Sequence, residues 1–438
     1  MTSTAVSVGE SEKNCSDLTS SSNLDGLELD STLNNSQELP PDSLYGCIVV
    51  LGAFLMLMMA IGTTNTFGVY LLEYQRSVFP STPVSELSWI GSLQFASMCF
   101  FGIGAGVLVE QYDARLIGTI GGVVSGGALM VASLCSSPIA LVFTQGILFG
   151  AGGSCLMIPA VSLPSQWTQK HRAVATGVAL AGGSIGGLWM SFAARSMVAN
   201  LGWQWSLRIT GLMTIGVCCP ASLLLRKRIQ VPKRAKIVDV RVMKNPLFVL
   251  LFFVSLFAAG GYFTPYYFMA PYAVVALGEA QNWSANISSI LNAGSIAGRI
   301  LVGLLADRIG PLNTLFISLF VSNLAILTIW LPFKSLGPLI AAALIFGFAS
   351  GSVVSLVPVV TANLFGVQRL ASILGLLFFS YTLGSLVCSP VGGALLDKYG
   401  HGTNYTPLII YDGAFFSAAT LLLGVLRMAV DTNLWAKI

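Results

Sequence analysis

Residues 290–310, ILNAGSIAGRILVGLLADRIG, are apolar and rich in small residues, yet they hold Arg299 in their middle and close on Asp307 and Arg308. A guanidinium is a permanent cation with a planar fork of donors, the group best shaped to hold a carboxylate or a similar anion. Ser288, Asn292, Ser295 and Arg299 recur at i, i+4, i+7 and i+11, one polar stripe on an otherwise apolar helix. At about 1.5 Å of rise per residue, Arg299 stands roughly 12 Å in from Asp307, so its side chain snorkels only part of the way to water. An intramembrane cation marks a functional site by default. The plainer alternative is a structural arginine bonded to helix carbonyls or to Asn and Ser.

Other polar side chains are candidates to line the same cavity. Asn65 sits with Thr63, Thr64 and Thr66 in an interrupted apolar run, Gln94 lies in the next, Tyr262, Tyr266 and Tyr267 flank Pro265, and Tyr381 precedes Ser385 by one turn. Aromatic rings with hydroxyls suit an amphipathic organic ligand. Each could equally bond a neighbouring helix. Enzyme chemistry finds no footing. Gly182-Gly-Ser184-Ile-Gly186 has the nucleophile-elbow spacing but lies in an apolar run, and the two histidines, His171 and His401, fall in different loops. There is no Gly-Lys dipeptide for a Walker loop, and no histidine or acid cluster for a metal. No cofactor is expected, and no exposed basic face suited to nucleic acid.

The elements that must position these residues are membrane helices. Of 438 residues, 55% are hydrophobic and 9% charged, with a mean hydropathy of +0.79, against about 25% charged in soluble proteins. Several uncharged runs exceed the roughly 18 residues of a helical span. Breaks place twelve spans near 45–70, 86–109, 115–136, 138–161, 171–194, 204–225, 247–277, 284–306, 313–331, 337–360, 370–391 and 408–428. The first is interrupted by IGTTNTFG and the seventh contains Pro265 and Pro271, so both are expected broken or bent. Eight cysteines, most within apolar runs and with no CxxC, read as small packing residues.

The loop RKRIQVPKRAKIVDVRVMKNP holds eight basic residues and one acid, which makes it cytoplasmic by the positive-inside rule. Both termini then face the cytoplasm. Residues 1–44, rich in Ser, Asn and acids, read as a disordered tail; 45–225 and 247–430 form two six-helix bundles joined by the basic loop 226–246, and 431–438 is a short tail. The sequons at Asn282 and Asn404 fall in outward loops and are candidate glycosylation sites, whereas those at Asn14 and Asn34 face inward.

The halves repeat. Gly106-Val-Leu-Val-Glu110 matches Gly303-Leu-Leu-Ala-Asp307, and Trp167 before QKHRAVATG, ending at Gly177, matches Phe365 before VQRLASILG, ending at Gly375. Both pairings share an offset of about 197 residues. Internally duplicated carriers place substrate near the midplane between repeats.

Two six-helix halves with an acid-containing loop after spans two and eight resemble the major facilitator superfamily. SWIGSLQ (88–94), QWTQKHRAVATGVALAGGSIGG (166–187), LGWQWSLRITG (201–211), YFTPYYFMAPYAV (262–274) and LNAGSIAGRILVGLLADRIGPLN (291–313) resemble the fungal branch of its monocarboxylate-porter family. The chain departs from that pattern where Asp42-Ser-Leu replaces Asp-Gly-Gly before span one. It departs again after span two, where Glu110-Gln-Tyr-Asp113-Ala-Arg115 degrades the Asp-Arg-x-Gly loop that survives as Asp307-Arg308-Ile-Gly310.

The resemblance implies alternating access, a carboxylate held at Arg299, and inner-gate ion pairs among Glu110, Asp113, Arg115, Asp307 and Arg308. It also implies an acid one turn before the arginine for proton coupling, but that position is Ser295. By sequence, no Asp or Glu lies deep in a span, since Glu86 and Asp412 sit near outer ends. Protons thus remain only a candidate coupling ion, which tilts the expectation toward export of a cell-made organic anion or metabolite across the plasma membrane, with a vacuolar or other internal membrane as alternative. Two further readings stay open: a carrier of a neutral metabolite or vitamin, and a non-transporting membrane sensor.

Overall fold

A computed structural model describes residues 43–82, 84–228, 242–280, 282–400 and 403–431. Nearly all of the 1–44 tail, most of the basic loop and residues 432–438 lie outside the described residues. Twelve helices are long and apolar enough to cross a membrane. They are α1 (Leu44–Leu71), α2 (Trp89–Gln111), α3 (Ala114–Ala132), α4 (Pro138–Trp167), α5 (Arg172–Leu201), α6 (Trp203–Leu224), α7 (Pro246–Val275), α8 (Asn286–Ile309), α9 (Pro311–Trp330), α10 (Leu336–Phe365), α11 (Leu370–Gly400) and α12 (Thr406–Val430). Leu116, Ile120 and Val123 on α3, Leu301 and Leu304 on α8, and Leu421 on α12 point out of the bundle, as lipid-facing side chains must.

Helices α4, α5, α10 and α11 run five to nine residues beyond their expected ends. Thirty helical residues span about 45 Å, enough to cross the hydrocarbon and enter the headgroup zones, where polar termini are solvated. The apolar pattern marks only the stretch inside the hydrocarbon. The α1 helix is interrupted as expected, at Thr66, whose backbone N–H and hydroxyl both return to the Gly62 carbonyl. For α7 the break does not occur: helix continues from Pro246 to Val275 through both prolines.

Glycine spacing builds two kinds of seam. Most four-apart pairs lock helices within one bundle. Gly182 and Gly186 of α5 abut the Phe54 and Met58 carbonyls of α1, Gly118, Gly122 and Gly126 of α3 abut α6, and Gly294 and Gly298 of α8 mesh with Gly347 and Gly351 of α10. Gly102 and Gly106 of α2 instead pack against α11, across the two bundles, where Gly375 answers them. The matching seam joins α5 to α8 through Gly177 and Gly303. At Gly106, Gly126, Gly177, Gly182, Gly186, Gly294, Gly298, Gly303, Gly347 and Gly375 an added Cβ would meet the other helix's backbone within about 3 Å, so backbone touches backbone.

Candidate functional site

The internal repeat becomes a pseudo-twofold at the end of the molecule that carries the basic loop. The Glu110 carboxylate at the end of α2 accepts the Ser372 backbone N–H in the first turn of α11, at 3.0 Å. The Asp307 carboxylate at the end of α8 accepts the N–H groups of Ala173 and Val174 in the first turn of α5, at 2.9 and 3.2 Å. Each acid therefore caps a helix N-terminus of the other bundle, where unpaired N–H groups and the helix dipole favour negative charge. Arg172 of α5 adds a bond to Asn363 of α10 at 2.6 Å. Together these close the basic-loop side.

The remaining gate candidates are Arg115, Asp113 and Arg308. Arg115 donates to the Leu225 carbonyl and the Tyr45 hydroxyl, tying α3 to its own bundle, and Asp113 caps α3 through the Arg115 N–H. Arg308 is exposed. Lys227, outside the spans, donates to the Glu110 carbonyl oxygen at 3.0 Å. Burial pushes its ammonium below the usual lysine range while Asp113 and Glu110 pull it back up. The first loop keeps its acid because a helix cap needs only a carboxylate, which explains how its arginine pattern can degrade.

One turn further in, the seams meet Arg299. Adding the repeat offset of 197 residues to Gly102 gives Arg299, so the cation stands where the other half has a glycine. Gly177 lies against the Arg299 carbonyl as Gly375 lies against that of Gly102. The Arg299 side chain is 4% exposed. Its Nη1 donates to the Leu180 carbonyl of α5 across the bundles, while its Nε has no partner. Both readings of this residue thus find a foothold: one donor serves the structure and another is unspent.

Tyr266 and Tyr381 lie close enough to Arg299 to feel its charge, and Tyr262 joins them to one cluster. Tyr262 and Tyr266 stack at 4.8 Å, and Tyr381 is buried against Phe378. The Ser295 hydroxyl is fully buried beside Tyr266, and neither closes a hydrogen bond of ordinary geometry. Tyr381 continues to the seam with α2: next to it, Thr382 donates to the Ala96 carbonyl at 3.1 Å. Phe95 and Phe263 pack edge-to-face across the bundles at 5.1 Å. Gln94 of α2 is fully buried, and neither of its amide atoms has a partner. A bound polar ligand would recover bonds that these groups otherwise forgo.

Two expected members fall away from this cluster. Asn292 is half-buried and spends its amide on the Ser288 carbonyl. Asn65 is exposed, packed beside Gly187 of α5 near the far end of α1. Among the sequons, Asn404 is exposed and caps α12 through the Thr406 N–H, while the Asn282 side chain lies outside what is described. Sequence reasoning missed Asp412. The sequence places it near an outer end, yet in the structure it is the seventh residue of the α12 helix and fully buried, with both carboxyl oxygens unpartnered. As the one acid in an apolar helix it was visible, but its depth was not, because the polar residues 401–406 blur where that helix begins.

Comparison with known proteins agrees with this architecture. The Major Facilitator Superfamily model matches residues 44–335 and 281–436. Among relatives, the agnestins efflux protein of Paecilomyces divaricatus is 29% identical over 94% of this chain and 95% of its own, and the aspyridones efflux protein of Emericella nidulans is 30% identical over 89% and 78%. Solved structures with the same fold include the transporter FucP in its outward conformation, at TM-score 0.68 and 15% identity over 87% of this chain and 99% of that one. A bacterial homologue of the iron transporter ferroportin in an outward-facing state gives 0.70 and 13% over 88% and 100%. These relatives carry efflux names rather than monocarboxylate-porter ones, and they are transporters, not enzymes. With the duplicated gate and the two bundles, they establish that this multi-pass membrane chain belongs to the Major Facilitator Superfamily.

Proposed function

We propose that the chain exports a small-to-medium organic metabolite bearing a carboxylate or similar anion, by alternating access, with Arg299 as the anchor for the negative group. The observation that carries this reading is the position of Arg299: a buried cation with an unspent donor, in the seam between bundles, below the tyrosines 262, 266 and 381. An anion there interacts with both bundles, so its release is tied to their separation. Tyr262, Tyr266 and Tyr381 supply apolar faces for a ring-bearing cargo, and Ser295 and Gln94 supply polar contacts. The efflux names of the relatives support the outward direction. In this reading the caps at Glu110 and Asp307 form the cytoplasmic gate, both termini are cytoplasmic, and Asn282 and Asn404 are outward glycosylation acceptors. The plasma membrane is the site of action. The resemblance to monocarboxylate porters then reflects a shared way of holding an anion rather than a shared cargo.

The test is a comparison of intracellular and extracellular metabolites in cells with and without the gene. Loss of the gene is expected to retain an acidic product inside; retention of only neutral compounds would overturn the anion assignment. A second reading rests on the Leu180 bond, which makes Arg299 a latch between bundles in a carrier of neutral solutes. It requires that Arg299→Gln leave export nearly intact.

A further inference from the structure

Asp412 has no part in the site just described. Its carboxyl is fully buried, and neither oxygen closes a hydrogen bond. The Thr264 hydroxyl of α7 lies beside it but donates to the Gly260 carbonyl, and Gly261, itself against Phe416, lies next to one carboxyl oxygen.

Among the described residues, no charge on a packed element compensates it. Helices α7, α9 and α10 contain no Asp, Glu, Lys, Arg or His; their nearest ionisable groups are the tyrosines 262, 266 and 272 of α7. Asn323 of α9 bonds Ser417 instead. On α11 the charged residues are Asp397 and Lys398. Gly392 of that helix touches Leu408 of α12, which puts Lys398 about 15 Å further out than Asp412 along the helices. On α12 itself Arg427 lies about 22 Å inward and bonds Asn313 at 2.6 Å.

An ionised carboxylate so placed would be unpaired and unsolvated, which costs far more than taking up a proton. Asp412 therefore carries a proton while the basic-loop side is closed. Its surroundings also reach the cargo site. Phe416, one turn along α12, and Tyr262, next to Gly261, line one small gap with Tyr381, and Tyr381 neighbours Arg299.

We propose that Asp412 is the proton-coupling residue of this transporter, protonated when the basic-loop side is closed and deprotonated in a conformation that hydrates it. The proposal does not depend on the cargo being an anion. It gives this chain the titratable group that Ser295 cannot supply.

The test uses the purified full chain in liposomes. Spin labels carried by unnatural amino acids at the exposed positions Tyr112 and Gln368 report the separation of α2 and α11 at the basic-loop face. As pH rises above neutrality, the wild type is expected to shift from a short to a long separation. Asp412→Asn, a permanent mimic of the neutral acid, should stay short, and Asp412→Glu should recover the shift. The caps at Glu110 and Asp307 respond with the opposite sign, since protonating either removes a cap, so they cannot imitate the result. Infrared spectra of wild-type protein with isotope-labelled aspartate supply a second readout that needs no variant to fold. At neutral pH they should contain the carbonyl band of a protonated carboxylic acid. A wild type with no alkaline shift, an Asp412→Asn protein that keeps it, or spectra without the band would each overturn the proposal. Export that survives Arg299→Gln with the pH response intact would count against the anion reading alone.

Discussion

Arg299 and Gln94 show how burial turns a side chain into a binding group. A charge-assisted hydrogen bond contributes about 1.5–3 kcal/mol, so Arg299→Gln is expected to weaken apparent affinity for an anionic cargo by about tenfold to a hundredfold. Arg299→Lys, a point charge without the fork, should recover part of that in transport assays. Gln94 offers a sharper split. Both its amide atoms are buried without partners, so Gln94→Leu removes an uncompensated desolvation cost and should leave the melting temperature unchanged or raised. If Gln94 reads the cargo, transport should fall all the same. At this scale the sequence revealed the type of chemistry and little of its geometry. The stripe of Ser295 and Arg299 was legible from spacing, since one helix face is a local property. The same logic points to Asn65 and Asn292, yet Asn65 is exposed beside Gly187 and Asn292 bonds its own helix. Which face meets the partner bundle depends on contacts across more than a hundred residues.

At the level of elements, the glycine seams separate what holds each bundle together from what joins the two. Gly177→Ala and Gly375→Ala each put a methyl group into the backbone of a helix in the other bundle. They are expected to weaken the closed gate by about 1–3 kcal/mol while leaving each bundle folded. Increased access of a water-soluble thiol reagent to a cysteine introduced at the basic-loop face would register this. Gly186→Ala pushes instead on Met58 of α1 within the same bundle, so its expected signature is a lower melting temperature with no change in access. Spacing alone could not divide these classes, because four-residue glycine pairs look alike in rocking and static seams. The twelve spans were legible because apolar length is written directly in the chain. Their full ends, and the continuity of α7 through two prolines, were not, since both depend on neighbours.

The whole molecule is a duplication whose halves close on each other with one device used twice. Glu110 caps α11 and Asp307 caps α5, two contacts with separate partners related by the repeat. Glu110→Gln and Asp307→Asn should each cost the closed state about 1 kcal/mol, and the double variant should lose roughly the sum. Label separations at Tyr112 and Gln368 would measure all three. The repeat that locates these acids is visible in sequence; that they accept N–H groups at helix starts of the other bundle is not, because an acid's partner is set only when two helix ends meet. The asymmetry of the duplication is equally informative. At the level where one half has Gly102 the other has Arg299, so the pseudo-twofold that makes the gate is broken at the cargo site. The most direct measurement of that central claim compares wild type, gene deletion and Arg299→Gln at matched expression, following the acidic metabolite whose export the deletion abolishes. The expected result is that Arg299→Gln retains the metabolite inside the cell as the deletion does; export at the wild-type rate would contradict Arg299 as the anchor.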